Sequence, residues 1–573
     1  MYLKQIPNKK SGRTFLAIVE PYYHKESGNT RTKTVLSLGY LEDLQKEIDD
    51  PIAHYKQVAK EMTIERNELR LPLPIKYRPG ETIDSTKIQR KNLGYAALSK
   101  IYHELGLYNF SVNRQRNLKI KYSLNETLKM LVFQRILDPG SKKYTYERKD
   151  RYFEKYDFSL ADTYRSLSRF ASYTKDLLLL LHKSVTKNYG RDTSNVFYDV
   201  TNYYFEIDEQ DELRRKGVCK EHRPDPIVQL GLLMDNNGLP ITYKLFSGNT
   251  NDCNTLIPVL MEIRKEYDID RMVVVADKGL NTGENIACNL IQGDGYVYSQ
   301  TVRGGNKELK SYVLDTADYR KHGEGFKIKS RLYPREITVT NKLGKKVKVP
   351  IDEKQVIFYS EKYAHRAKAE REPALLKAYE LVNNPGKYNK TTSFGATKYI
   401  KDLVFDKKTG EIITAGHCPQ FDLEKLQQEE LFDGYYAIVT SEYKMSDEEI
   451  INTYRGLWKI EESFRITKSE LEARPVFVSL EDRIQAHFLT CFISLLILRV
   501  LEMKTDRKYS PARLIESMSR ASGSLVDDGL YLFDHYDEIL KSIGDATDLD
   551  FSRRYLRIGE IKKMLANTKK SKR

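Results

Sequence analysis

Cysteine is scarce in this chain: there are 5, at positions 219, 253, 288, 418 and 491, scattered and with no CxxC pair. That argues against a Cys-based zinc site and for a reducing compartment. Tryptophan occurs once, at Trp458. Long apolar runs are missing too. The longest, Phe488–Leu501, contains Thr490, Ser494 and Arg499. A bilayer span needs about 20 apolar residues, so this stretch reads as a buried helix and no membrane partner is expected. The opening MYLKQIPNKKSGR has no apolar core followed by a small-residue cleavage site, so no secretory signal is expected. Gly304-Gly305 is not followed by a GxxxxGK[ST] pattern, which leaves a nucleotide cofactor unsupported.

The residues present describe a large, basic, soluble chain. Its 573 residues predict about three to five domains. Charged residues make up 31% and apolar ones 40%, too charged for a membrane protein and too apolar for wholesale disorder. Lys and Arg number 95 against 80 Asp and Glu, a net charge of +15. A polyanionic partner follows, with nucleic acid first, because phosphate contacts need Lys and Arg. A basic solvated surface that binds nothing is the alternative.

Six segments can be marked out. Residues 1–90 form a β-rich module with a charged helix. Phe15–Val19 and Thr32–Leu38 flank the polar turn Glu26-Ser27-Gly28-Asn29, a hairpin signal, and the Pro-punctuated Leu71–Gly80 is a linker. Residues 91–190 read as helices, opened at Ser123 by a capping box with Glu126. Tyr164, Arg165, Ser168 and Arg169 there could sit on a helix-turn-helix-like DNA reader, although an ordinary packing module is the favoured reading. Residues 191–300 read as three strands in hairpin order, then helix, strand, helix, strand: a mixed α/β sheet. The turn Asp235-Asn236-Asn237-Gly238 joins the second and third strands. Residues 301–445 look like a β-rich insertion. Residues 446–502 are helical again, opened by a second capping box, Ser446 to Glu449. Residues 503–573 read as a helical region with a basic tail.

Three carboxylates stand out. Period-two alternation in NVFYDVT puts Phe197, Asp199 and Thr201 on one strand face. A buried, ionised carboxylate is costly unless it is paired or holds a metal. Asp277 ends the apolar run MVVVAD, where α/β sheets usually place ligands. Either could equally be a turn or N-cap aspartate. Ile450, Tyr454, Leu457, Trp458, Glu461, Phe464 and Lys468 follow 3–4 spacing, which predicts one helix with Glu461 facing inward and Glu462 off the stripe. The plain alternative for Glu461 is an ion pair with Arg465. Together the three form an all-oxygen set suited to Mg²⁺ or Mn²⁺, and a pair of such ions supports in-line phosphoryl transfer. Lone histidines, His222 and His487, read as structural.

YRGLWKIEESFRITKSELEARPVFV closely resembles the signature region of DDE transposases of bacterial insertion sequences, in the insertion sequence 4 superfamily. Tyr454, Glu461 and Lys468 match its Y-x2-R-x3-E-x6-K pattern, while Leu457 stands at the arginine position. YDVTNYYFE, VVVADKGL and the GNTND run at 248–252 look most like the insertion sequence 1634 family. The resemblance implies an RNase H-like catalytic core interrupted by a β-rich insertion domain. It makes Asp199, Asp277 and Glu461 the catalytic and metal-binding triad for two Mg²⁺ or Mn²⁺ ions. Tyr454 and Lys468 would contact DNA, with Lys278 and Arg474 beside them, and Arg455, Lys459 or Arg465 in place of the missing arginine. The implied protein is a cytoplasmic homodimer or higher oligomer on DNA. It would bind terminal inverted repeats, cleave by hydrolysis and join the 3′-hydroxyl to target DNA. A nuclease or resolvase without strand joining, and a non-catalytic DNA-binding derivative, are the rival readings.

Overall fold

The structure is a computed structural model that describes residues 1–8, 12–24, 29–68, 80, 82, 88–220, 223–341, 343–383, 395–405, 412–527 and 529–570. The hairpin turn residues 26–28, linker residues 71–79, His222 and the last three residues of the basic tail lie outside these. The chain divides into two compact units, Met1–Ile83 and Asp84–Arg573.

The first unit is a three-stranded antiparallel sheet in chain order, β1 (Tyr2–Pro7), β2 (Thr14–His24) and β3 (Asn29–Tyr40), followed by the Pro51–Glu68 helix. The apolar run Leu16–Val19 of the central strand is buried. Arg13 caps the end of the sheet, stacked over the Tyr40 ring and paired with Glu42 and Asp43.

In the second unit the short strand β4 (Arg90–Asn92) precedes a helical stretch. Then come β5 (Asn195–Tyr204), β6 (Ile227–Met234), β7 (Pro240–Ser247), β8 (Val273–Ala276) and β9 (Gly295–Gln300). β5, β6 and β7 pair antiparallel, as the Asp235–Gly238 turn requires; Gly238 takes the positive φ there. β5, β8 and β9 pair parallel. Parallel neighbours need crossovers, and the helices Leu256–Glu266 and Gly283–Ile291 supply them. The sheet does not stop at β9. β10 (Arg320–Lys321), β11 (Phe326–Thr340), β12 (Lys346–Ser360) and β15 (Tyr435–Thr440) extend it to nine strands, in the order β10-β11-β12-β15-β9-β8-β5-β6-β7. The pair β13 (Ile400–Phe405) and β14 (Ile412–Phe421) stands apart, with a small core of Ala378, Leu381, Ala396, Tyr399 and Ile400.

The Glu481–Lys504 helix contains the longest apolar run. It is the one helix among the described residues long and apolar enough to cross a membrane, yet 94% of its apolar window is buried inside the protein. It is apolar all round because it is surrounded, packing against the helices Tyr95–Glu104, Leu124–Leu137 and Leu160–Ser172 and against β7. The Leu160–Ser172 helix gives it a buried face of Thr163, Ser166, Leu167 and Phe170. Ser123 and Ser446 cap their helices as the sequence predicts, the latter in a full capping box.

The region after residue 503 is not purely helical. β16 (Ser522–Asp527), β17 (Leu530–Phe533) and β18 (Tyr555–Arg557) join β4 in a sheet of order β18-β17-β16-β4. Gly529, at φ 68°, makes the turn between β16 and β17.

Candidate active site

The face of β5 that carries Asp199 is set by Phe197, two residues before it, and Tyr203, four residues after. The Phe197 ring lies so close to Gly456 that a Cβ there would come within 2.5 Å of it. The Tyr203 hydroxyl shares a 2.8 Å hydrogen bond with the Thr467 hydroxyl. The helix Trp458–Lys468, here the signature helix, therefore lies along this face, with Asp199 between its two anchor points. The Asp199 carboxylate accepts the Val200 backbone N–H at 2.7 Å. Burial pushes its pKa up to about 6; Lys220 opposes the shift, while Asp277 and Asp252 add to it.

Asp277 follows β8 directly. Phe197 pairs with Val275 across the parallel ladder, so two further residues on each strand bring Asp199 level with Asp277. The Ser299 hydroxyl, on β9, donates to Asp277 Oδ1 at 2.8 Å, and the Tyr454 hydroxyl donates to the same oxygen at 3.2 Å. Burial raises the Tyr454 pKa, and the negative charges of Asp277 and Glu461 raise it further. Tyr454 thus stays a protonated donor to Asp277.

The single helix expected over 450–468 is two helices, Asp447–Arg455 and Trp458–Lys468, separated by Gly456-Leu457. At the break the backbone tightens: Lys459 N–H donates to Gly456 and Ile460 N–H to Leu457, three residues back. The break has a packing cause, since Gly456 abuts Phe197. It also breaks the apolar stripe. Ile460, Ser463, Phe464 and Thr467 face inward on the signature helix, whereas Glu461 is exposed and Trp458 is 53% exposed. The inward placement expected for Glu461 is therefore wrong. Nor does Arg465 pair with it; Arg465 approaches Glu462 at 3.8 Å and Glu470 at 3.5 Å.

Glu462 has a different employment. It meets the buried Arg499 of the long helix at 2.9 Å. Arg499 also holds Glu502 at 2.7 Å, the Ser463 hydroxyl at 2.8 Å and the Lys459 carbonyl at 3.1 Å. This clamp fastens the signature helix to the long helix, while Glu461 is exposed.

The expected DNA contacts divide. Lys278 and Arg465 are exposed. Arg455 is exposed and lies 5.5 Å from the Phe326 ring centroid. Lys468 lies over the Tyr203 ring and Arg474 over Tyr204. Lys459 is spent on structure: its ammonium donates to the Asn236 carbonyl at 2.7 Å, and burial lowers its pKa. Sequence reasoning missed Lys220, Asp252 and Ser299. Only the GNTND run, which ends at Asp252, carried a signal. Among the described residues no group of three or more His, Cys, Asp or Glu side chains stands close enough to hold a metal. As a donor set, all-carboxylate oxygen fits Mg²⁺ or Mn²⁺.

Residues 214–497 match the Transposase DDE domain, a stretch that holds Asp277, Glu461 and the signature helix; Asp199 lies just before it. Residues 3–72 match the IS1634 family transposase N-terminal domain. No curated protein matches the chain. Among solved structures it is similar to a piggyBac transposase synaptic complex with hairpin DNA, at 8% identity and a TM-score of 0.31, over 84% of this chain and 85% of that one. The two domain matches carry the assignment: the chain is a DDE transposase of the IS1634 family.

Proposed function

We propose that Asp199, Asp277 and Glu461 are the catalytic carboxylates of this transposase and hold two Mg²⁺ or Mn²⁺ ions. The observation that carries this reading is positional. One ladder register brings Asp199 level with Asp277, and Tyr454 stands under the charges of both Asp277 and Glu461. When bound, the ions supply an activated water or 3′-hydroxyl and neutralise charge on the leaving oxygen. The protein's own part is to present carboxylates that are not already neutralised. Ser299 and Tyr454 orient the Asp277 carboxylate by both donating to its Oδ1. The Glu462–Arg499 clamp fixes the helix that carries Glu461. The strand order β7-β6-β5-β8-β9, with three antiparallel-linked strands followed by two parallel ones, supports an RNase H-like core.

On this reading the enzyme binds the terminal inverted repeats of its element as a homodimer or higher oligomer in the cytoplasm. It hydrolyses a strand to free a 3′-hydroxyl, then joins that hydroxyl to target DNA. The test is a Mg²⁺-dependent cleavage and strand-transfer assay on linear DNA carrying the element's ends. Nicking at the boundary, with products joined to target and both lost in Glu461→Gln, is the expected result. Cleavage without joining would make the protein a nuclease. Equal activity in wild type and Glu461→Gln would remove Glu461 from the site.

A further inference from the structure

We propose that Lys220 is a further catalytic residue of this enzyme: its ammonium stands at the gap between the ends of β5 and β8 and contacts the scissile phosphodiester there. The proposal rests on the active-site reading above and adds a cation to it.

The gap follows from the ladder. β8 pairs with β5 only from Asn195 to Phe197, ends at Ala276, and gives way after Asp277 to the Lys278–Leu280 turn. The Ser194 carbonyl accepts the Val273 N–H, so the even-numbered residues of β5 turn their backbone groups toward the β8 side. Val200 is one of these, and β8 no longer covers it. Its N–H donates to the Asp199 carboxylate at 2.7 Å, and its carbonyl accepts the Lys220 ammonium at 2.6 Å. Asp199 comes from β5 itself. Lys220 comes from the connection between β5 and β6, which the Asn202 amide ties down by donating to the Val218 carbonyl at 3.1 Å. The two backbone groups of one residue thus bring a carboxylate and an ammonium to the same uncovered edge, beside Asp277.

Asp252 belongs to this edge as well. Its turn, Asp252–Asn254, packs against the turn that follows Asp277. The buried Asn285 amide holds the two together, donating to the Cys253 carbonyl at 3.0 Å and to the Leu280 carbonyl at 2.8 Å. Lys220 is the strongest charge acting on Asp199 and on Asp252 alike.

A lysine among carboxylates usually spends its donors on them. Here the one hydrogen bond of the Lys220 ammonium among the described residues goes to a neutral carbonyl, and an ammonium has three donors. On the active-site reading, Asp199, Asp252, Asp277 and Glu461 together balance two divalent ions, which leaves the Lys220 charge over. A phosphodiester carries a single negative charge and is the anion that neutralises it. Donors fixed in advance at the reacting phosphate lower the barrier where charge develops, by charge and hydrogen bonding alone.

The test is a coupling cycle on the full chain, read in DNA binding with Ca²⁺ in place of Mg²⁺. The probes are a duplex carrying the element's terminus and the same duplex with a neutral methylphosphonate at the scissile position. Neutralising that phosphate should weaken binding about tenfold in wild type and in Lys220→Arg, and less than about twofold in Lys220→Gln. Single-turnover cleavage of the unmodified duplex in Mg²⁺ should fall about a hundredfold in Lys220→Gln and recover most of the way in Lys220→Arg. Equal methylphosphonate losses in wild type and Lys220→Gln would overturn the proposal, as would wild-type cleavage by Lys220→Gln. The wild-type arm covers misfolding of a variant: no loss on neutralising the scissile phosphate overturns the proposal without any substitution. Glu461→Gln separates the two readings. Wild-type cleavage in Glu461→Gln removes the carboxylate reading, whereas an inactive Glu461→Gln with no coupling at Lys220 removes only this proposal.

Discussion

Two charged regions of the second unit handle charge in opposite ways. Under the long helix, Arg135 donates to the carbonyls of Leu471, Glu472 and Gly140. Lys142 donates to His487 Nδ1 at 3.1 Å, and His487 Nε2–H donates to the Ala473 carbonyl at 2.9 Å. Burial lowers the Lys142 pKa to about 7 and keeps His487 neutral, so the cluster limits its charge and spends its donors on backbone. At the carboxylate edge, Asp199 and Asp277 are brought together with like charge, and Glu461 is left exposed. The first arrangement fixes the chain that leaves the signature helix. The second stores repulsion that a cation would relieve. A fold optimised only for stability would have paired those carboxylates.

The comparison is broken hardest at the carboxylates. Asp199→Asn, Asp277→Asn and Glu461→Gln should each lower strand cleavage by at least about a thousandfold. DNA affinity in EDTA and the thermal midpoint should stay at or above wild type. Loss of fold in these variants would put the edge in the structural class with the buried cluster.

Next comes the clamp. Arg499→Met strands Glu462 and Glu502 and should cost about 3 kcal/mol in urea unfolding, since removing one partner of a buried pair leaves an uncompensated charge. Gly456→Ala places a methyl against the Phe197 ring and should cost about 1–3 kcal/mol. It should also slow cleavage, by shifting the helix that bears Glu461.

The smallest effects sharpen the contrast through pH. A carboxyl raised to about 6 when folded, against 3.8 unfolded, binds more protons in the folded state between those values, so its contribution falls as pH rises from about 4 to 6. A lysine lowered to about 7, against 10.5 unfolded, binds fewer protons when folded, so its penalty is present below pH 7 and is relieved as pH rises toward 10. Metal-free unfolding of Asp199→Asn should lose the first slope and that of Lys142→Met the second. Unchanged slopes in both variants would remove the distinction between the regions.

Local sequence determined a good deal of this protein. The Asp235–Gly238 turn, the alternation along β5, the run into β8 and the capping serines at 123 and 446 are set by residues within a few positions of each other, and each is legible without the fold. The signature around Tyr454, Glu461 and Lys468 is likewise continuous in the chain, which is why it can be read there. What periodicity could not show is where a helix breaks for a distant partner. Gly456 reads as one weak helix former among good ones; the Phe197 ring packed against it, more than two hundred residues earlier, is what the local pattern does not contain. Glu462 is likewise taken up by Arg499, and Lys220 and Ser299 come beside Asp199 and Asp277 through loop and sheet packing. Spacing fixes which residues share an element. Tertiary contact decides which of them face each other, because that depends on side chains the local pattern does not contain.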